Sequence, residues 1–179
     1  MIKLEIIEKE DLKKLIEWNL SKSADYLLQW AGTAYNYPLT IEQVENYFMN
    51  NVKNDNSNIF VYKILLVDTG EIIGTIELRE TDKDNKIGKI CRFLIGDEST
   101  RGKGIGTKAL KEAIRIGFED MKFEKIRLVV FDFNHNAIKC YENVGFTKEK
   151  FIESARKSST GSWNLYEMAI ARDEWEKEI

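Results

Sequence analysis

The run Arg101-Gly102-Lys103-Gly104-Ile105-Gly106-Thr107 constrains this chain more than any other feature, because of what flanks it. Before it the residues follow the patterns of strands. After it Ile105, Ala109, Leu110, Ala113, Ile114, Gly117 and Phe118 recur at helical spacing, to about Glu119. Three closely spaced glycines let backbone N–H groups approach an anion, and the helix start adds unpaired donors and a positive dipole end worth about 0.3–1 kcal/mol at an exposed site. Phosphate is the natural ligand of such a run. Two better-known phosphate loops fit poorly. Gly104 to Ala109 matches G-x-G-x-x-A, yet Asp97 to Thr100 separate it from the preceding strand, and the strands before it read as a meander and not a parallel unit. Gly96 to Gly104 resembles a P-loop but has one residue too many between its glycines and Gly104 where Ser or Thr should follow the lysine.

Around this run the periodicities predict an order of elements. Ile2 to Ile7 alternates as a strand, and Leu12, Leu15, Ile16 and Leu20 mark a helix from about Glu10 to Leu20. Ser21 to Leu39, with Tyr26, Trp30, Tyr35, Tyr37, Gly32 and the only proline, Pro38, reads as an irregular aromatic-rich connection. Thr40 caps a second helix with Ile41, Val44, Phe48 and Val52 on one face. Ile59 to Val67, Glu71 to Arg79 and Ile87 to Ile95 form three antiparallel strands around turns at Asp68-Thr69-Gly70 and Thr81 to Asn85. Beyond the long helix, Lys125 to Phe133 is an apolar strand and Asn136 to Asn143 a short helix ended by Gly145. Phe146 to Arg156 and Trp163 to Ala171 form a last hairpin, although Trp163 to Lys177 also fits a helix. The order implies an α/β fold in one domain over residues 1–179, a mixed, mostly antiparallel sheet of about seven strands with helices on both faces.

Composition narrows the chemistry. Lys plus Arg number 27 against 30 for Asp plus Glu, so the net charge of −3 gives no global attraction for nucleic acid or anionic lipid. No apolar run approaches the ~20 residues of a membrane span, and the first residues lack the pattern of a secretion signal, so a cytoplasmic protein is expected. Cys91 and Cys140 form no C-x-x-C pattern and read as buried thiols of a reducing compartment. The single histidine, His135, cannot build a multi-histidine metal site, and no metal is expected.

A second constellation is Asn134-His135-Asn136-Ala137-Ile138-Lys139-Cys140-Tyr141-Glu142-Asn143-Val144-Gly145-Phe146. Ala137, Cys140, Tyr141 and Val144 share one helical face, which puts Tyr141 on its buried edge near the end of the preceding strand. Taken alone, Tyr141 reads as core packing with its hydroxyl satisfied locally.

Together the two motifs carry a family resemblance. An R-x-x-G-x-G run opening a helix after a β-meander, then a strand, then N-x-x-A-x-x-x-Y-x-x-x-G-F, resembles the GNAT superfamily of acetyl-CoA-dependent N-acetyltransferases over essentially the whole chain. Leu27 to Gly32 and Tyr37 to Thr40 look like the branch that includes the ribosomal-protein N-terminal acetyltransferases.

The resemblance implies direct transfer of acetyl from acetyl-CoA to a primary amine, of a small molecule or a peptide N-terminus, by a monomer or homodimer. It implies that Arg101, Gly102, Lys103, Gly104, Ile105, Gly106 and Thr107 bind the coenzyme A pyrophosphate. Leu94, Ile95 and Gly96 would pair with the pantetheine arm and supply an amide to the thioester carbonyl. Asn134 would contact the pantetheine, and Tyr141 would protonate the departing thiolate. Where members often carry a glutamate base this chain reads Ile90-Cys91-Arg92 and Val129-Val130. Folding the meander puts Glu77 opposite Lys89 or Ile90 and diagonal to Arg92, as a base or as an exposed cross-strand ion pair, with Asp132 or water as other proton acceptors. A non-catalytic acyl-CoA sensor is the rival reading.

Overall fold

The computed structural model describes residues 1–100 and 102–177, and Arg101 lies outside the described residues. Strand β1 (Ile2–Ile6) leads through a 3₁₀ turn, Lys9–Leu12, into helix α1 (Lys13–Asn19). Helix α2 (Ala24–Ala31) occupies much of the predicted irregular connection. Ser23 caps it by accepting from the Tyr26 N–H, and the Trp30 indole donates to Asn19 Oδ1 at 3.1 Å, tying it to the end of α1. Helix α3 (Ile41–Tyr47), capped by Thr40 as expected, runs on through a π-turn to Val52. Ile41 is exposed, unlike the Val44 and Phe48 with which it was grouped.

The meander follows as β2 (Ile59–Leu66), β3 (Ile72–Asp82) and β4 (Ile87–Ile95). Helix α4 (Ile105–Arg115) continues through a π-turn to Asp120, and β5 (Lys125–Phe131) stops two residues short of its predicted end. Helix α5 (His135–Glu142) precedes the hairpin β6 (Thr147–Ser158) and β7 (Gly161–Ala171). Trp163 to Ala171 is therefore strand, and only the short α6 (Arg172–Trp175) is helical beyond it.

The seven strands form one sheet in the order β1-β2-β3-β4-β5-β7-β6, antiparallel everywhere except between β4 and β5. Alternation along the strands assigns its two faces. Ile64, Ile76 and Leu78 join Leu110, Ala113 and Ile114 of α4 in the larger core, each such side chain contributing about 1.5–3 kcal/mol when fully buried. Val61 instead packs against a second core of Ile7, Leu12, Leu15, Val44 and Phe48, supplied chiefly by α1, α3 and their flanking turns. Helices thus cover both faces. No described helix is long and apolar enough to cross a membrane.

Candidate active site

Two irregularities in the sheet open a cleft. Strands β4 and β5 pair only over Ile87–Lys89 with Lys125–Arg127. Beyond those pairs their facing edges no longer meet, and a cleft of about 1150 Å³ lies where the ladder would have continued. The second irregularity is a bulge. Pairing between β3 and β4 jumps from Thr75↔Leu94 to Glu77↔Cys91, so Arg92 and Phe93 stand opposite the single residue Ile76. Arg92 takes the strain, with φ +43°. Counted from the turn, the pairs Arg79↔Lys89 and Leu78↔Ile90 make Cys91 the partner of Glu77, beyond the Lys89 or Ile90 that the sequence predicts, and the bulge comes only after that pair.

At one end the cleft is lined by Gly102, Gly104, Ile105, Gly106 and Thr107, while Lys103 is exposed outside its wall. Gly104 is the N-cap of α4 in the left-handed conformation, φ 73°, ψ 7°, and offers no capping side chain to the first-turn N–H groups. A side chain built on Gly102 or Gly104 would enter open space. These are the properties a diphosphate cradle requires: donors without a cap of their own, and room above them. Thr107 Oγ1 lies 3.4 Å from Cys140 Sγ, fastening the first turn of α4 to α5.

Helix α5 forms the neighbouring wall with Asn134, Ala137, Cys140 and Tyr141. Asn134 is its N-cap and accepts from the Ala137 N–H at 3.3 Å. Val144, predicted on the same face, instead enters the core with Ile138. Tyr141 packs edge-on against Phe146, and its hydroxyl makes no hydrogen bond to a described residue. Burial raises it above the ordinary phenol value, so its proton is retained at neutral pH.

Leu94 and Ile95 line the cleft, but Gly96 does not. The Gly96 N–H donates to Ile73 O at 2.9 Å, so it is spent on β3 and does not face a ligand. Gly96 is glycine for another reason: an added Cβ would come within 1.9 Å of the Trp18 ring.

The remaining wall is the most polar part of the interior. Glu77 is 1% exposed, not the surface ion-pair partner that sequence allowed. Its Oε2 accepts from Arg92 Nε at 2.8 Å and from the Tyr47 hydroxyl at 2.9 Å, and its Oε1 accepts from Arg79 Nη2 at 3.1 Å and from Arg92 Nη2. The Tyr47 hydroxyl in turn accepts from Arg79 at 3.1 Å and from Arg92. Burial opposes the Arg92 charge, but Glu77 overcomes it and holds the guanidinium above its ordinary value. Burial, then the Glu77 charge, raises the Tyr47 phenol. Arg79, Arg92 and Tyr47 reach the cleft wall, with Glu77 behind them. Asp132, the other candidate base, is held by Asn164 Nδ2 at 2.9 Å and is not a wall residue.

Tyr47 and Arg79 were missed from sequence. Tyr47 follows Val44 by one helical turn, a signal available in the chain, but the Arg79 contact depends on the burial of Glu77. The far end of the cleft is bounded by Tyr26, Gln29 and Trp30 of α2 and by Arg156 of β6. Asp25 ties these two elements together, accepting from the Ser159 N–H at 2.9 Å and its hydroxyl at 2.6 Å. Among the described residues no group of three or more His, Cys, Asp or Glu is placed to hold a metal ion.

Comparison with known proteins agrees with this architecture. The family model of the acetyltransferase (GNAT) family matches residues 24–146. A spermine/spermidine N(1)-acetyltransferase of Bacillus subtilis (strain 168) is 44% identical over 69 residues, 37% of this chain, and the chain spans only 45% of that relative's length. An aminoglycoside N(6')-acetyltransferase type 1 of Klebsiella pneumoniae is 25% identical over 158 residues, covering 83% of this chain and 75% of the relative. A crystal structure of spermidine N-acetyltransferase from Vibrio cholerae in complex with CoA and spermine superposes with a TM-score of 0.84 at 19% identity, over 98% of both chains.

Proposed function

The chain belongs to the acetyltransferase (GNAT) family, and from that premise we propose that it transfers the acetyl group of acetyl-CoA to the primary amine of a small molecule. The observation that carries this reading is the Tyr141 phenol, set on the cleft wall, without a partner among the described residues and raised by burial. A group so placed can give its proton to a leaving thiolate. Acetyl-CoA supplies the activated acetyl group and an anionic handle. Gly102 and Gly104 to Thr107 would receive the pyrophosphate on first-turn amides, and Leu94, Ile95 and Asn134 would flank the arm. In the reaction the amine nitrogen forms a bond to the thioester carbonyl carbon, the carbon–sulfur bond breaks, and the Tyr141 proton passes to sulfur. The nitrogen loses a proton to water, and solvent restores the tyrosine.

Glu77 is, in this reading, a positioning residue. Four donors occupy its two oxygens, and its service is to hold Arg92 and Tyr47 against the cleft. Arg101 lies outside the described residues, and Gly96 leaves the cofactor set because its amide is engaged by Ile73. The relatives bear the names of polyamine and aminoglycoside acetyltransferases, which favours a small amine as acceptor over the peptide N-terminus expected from the ribosomal-protein branch.

The test is release of CoA thiol from acetyl-CoA with a panel of amines, for the wild type and Tyr141→Phe. Amine-dependent release that falls about 10²-fold or more in the variant, with acetyl-CoA still bound, is expected. Binding without turnover of any amine would instead make the chain an acyl-CoA sensor.

A further inference from the structure

Charge on the cleft wall says what kind of amine fits. Among the described residues lining the cleft there is no Asp or Glu, whereas Arg79, Lys89, Arg92 and Arg156 are all there. Arg79 and Lys89 are direct cross-strand partners on β3 and β4. Glu77 is shared between Arg79 and Arg92, which leaves Lys89 without an ion pair to any described residue. The Nε of Arg79 is buried without a hydrogen-bond acceptor. Among the described residues the Arg156 side chain donates only to the Ala155 carbonyl, at 2.7 Å. At the Arg79–Lys89 end three cations therefore face one carboxylate, and that carboxylate is behind them. These cations are not placed for the pyrophosphate: Lys89 to Ile95 of β4 spans roughly 20 Å at the ~3.3 Å rise of a strand, and the glycine run follows the Ile95 end. The other wall there is aromatic, with Tyr26, Trp30 and Tyr47.

We infer that the acceptor is an amine that also carries a carboxylate, an amino acid or a compound of that kind, with Arg79 and Lys89 receiving the carboxylate and the aromatic wall its apolar body. The inference rests on the acetyltransferase reading above and narrows its acceptor. A di- or polyamine would bring further positive charge against unbalanced cations in a partly desolvated cleft, where no wall carboxylate repays it. A carboxylate would supply the missing partner and accept from the guanidinium fork of Arg79. The same cations favour the neutral, nucleophilic form of the acceptor's amine, since neighbouring positive charge disfavours an ammonium.

The experiment measures initial rates of CoA release, with products identified by mass spectrometry. The acceptors are the pooled standard amino acids, the pool of their decarboxylated amines, spermidine and an aminoglycoside. The best amino acid is expected to exceed its own decarboxylated amine and spermidine by about 10-fold or more in kcat/KM. Lys89→Gln, which breaks no ion pair among described residues, should raise the KM for that amino acid about 10-fold with kcat little changed, and leave the decarboxylated amine unaffected. Turnover of spermidine or of the decarboxylated amine at least as fast as the amino acid overturns the inference and leaves the acetyltransferase reading standing, as does an unchanged KM in the lysine variant. Absence of acetyl transfer to every acceptor overturns both.

Discussion

Glu77→Gln tests the organisation of the polar wall, and its cost can be worked from the contacts. In the wild type each carboxylate oxygen accepts two hydrogen bonds, from Arg79 and Arg92 on one side and from Tyr47 and Arg92 on the other. An amide in that place keeps one oxygen and turns an NH₂ toward two donors, so one or two charge-assisted bonds of about 1.5–3 kcal/mol each are lost. The Arg92 side chain, 14% exposed, is left without its counter-charge. Breaking a buried pair in this way costs about 3–5 kcal/mol. For a chain of 179 residues that corresponds to a fall in Tm of roughly 6–20 °C, at about 2–4 °C per kcal/mol. Thermal unfolding followed by circular dichroism measures it, and Arg92→Met combined with Glu77→Gln should cost less than the sum of the two single changes. Activity assayed well below the transition should show a raised KM for the acceptor, with a pH profile still set by the amine. The opposite pattern, an unchanged Tm with a lost acidic limb in kcat, would refute the positioning role and make Glu77 the base.

Other consequences are open to direct measurement. Tyr141→Phe should bind acetyl-CoA as the wild type does, by isothermal titration, and lose about 10²-fold or more in acetyl transfer. Because burial raises the Tyr141 phenol above its ordinary value of 10, its acid function is present throughout the neutral range and is lost only at still higher pH; an alkaline limb in kcat near pH 8–9 that disappears in the phenylalanine variant would contradict this. Gly106→Val should abolish acetyl-CoA binding with the fold retained, since its nearest neighbour, a Phe93 ring carbon, is 3.7 Å from the added Cβ; Gly104→Val adds backbone strain at φ 73° to the same loss. Gly96→Ala should lower stability by overpacking against Trp18, by about 1–3 kcal/mol, and Trp18→Ala in the same chain should relieve part of the loss in a thermal melt.

Much of this was legible because the patterns are local. The alternation of the meander, the apolar stripe of α4 and the turn at Asp68 to Gly70 each need only a few consecutive residues to be read. Helix α2 was hidden because its buried Leu27 and Ala31 are interleaved with Tyr26, Gln29 and Trp30, which face the cleft, so the stripe is interrupted by the very residues that form the wall. Glu77 shows another limit. Its position on β3 was readable, but its contact with Arg92 depends on a bulge, where one extra residue in β4 exchanges the faces of everything beyond it. Gly96 reads as part of a ligand loop from its neighbours along the chain, while its actual constraint, the Trp18 ring, comes from far away in sequence. The glycine run and Tyr141 were found because they stand at fixed distances from a strand end, and helix and strand geometry convert such distances directly into space.

The parting of β4 from β5 also bears on how the molecule keeps to itself. Strand borders that lack a neighbour ordinarily sit at the rim of a sheet, where they invite pairing with other chains and eventual aggregation. Here two such borders lie in the middle of the sheet, beyond the last pair Lys89↔Arg127, and α2 and the β6–β7 hairpin, pinned by Asp25 and Ser159, bound the opening between them. Polypeptides of any bulk are kept from the place where the backbone is most receptive, and a slender extended molecule is not. The fold thereby turns a hazard of open sheets into a filter by girth, and loosening the Asp25–Ser159 tie should be felt in colloidal stability on storage as well as in catalysis.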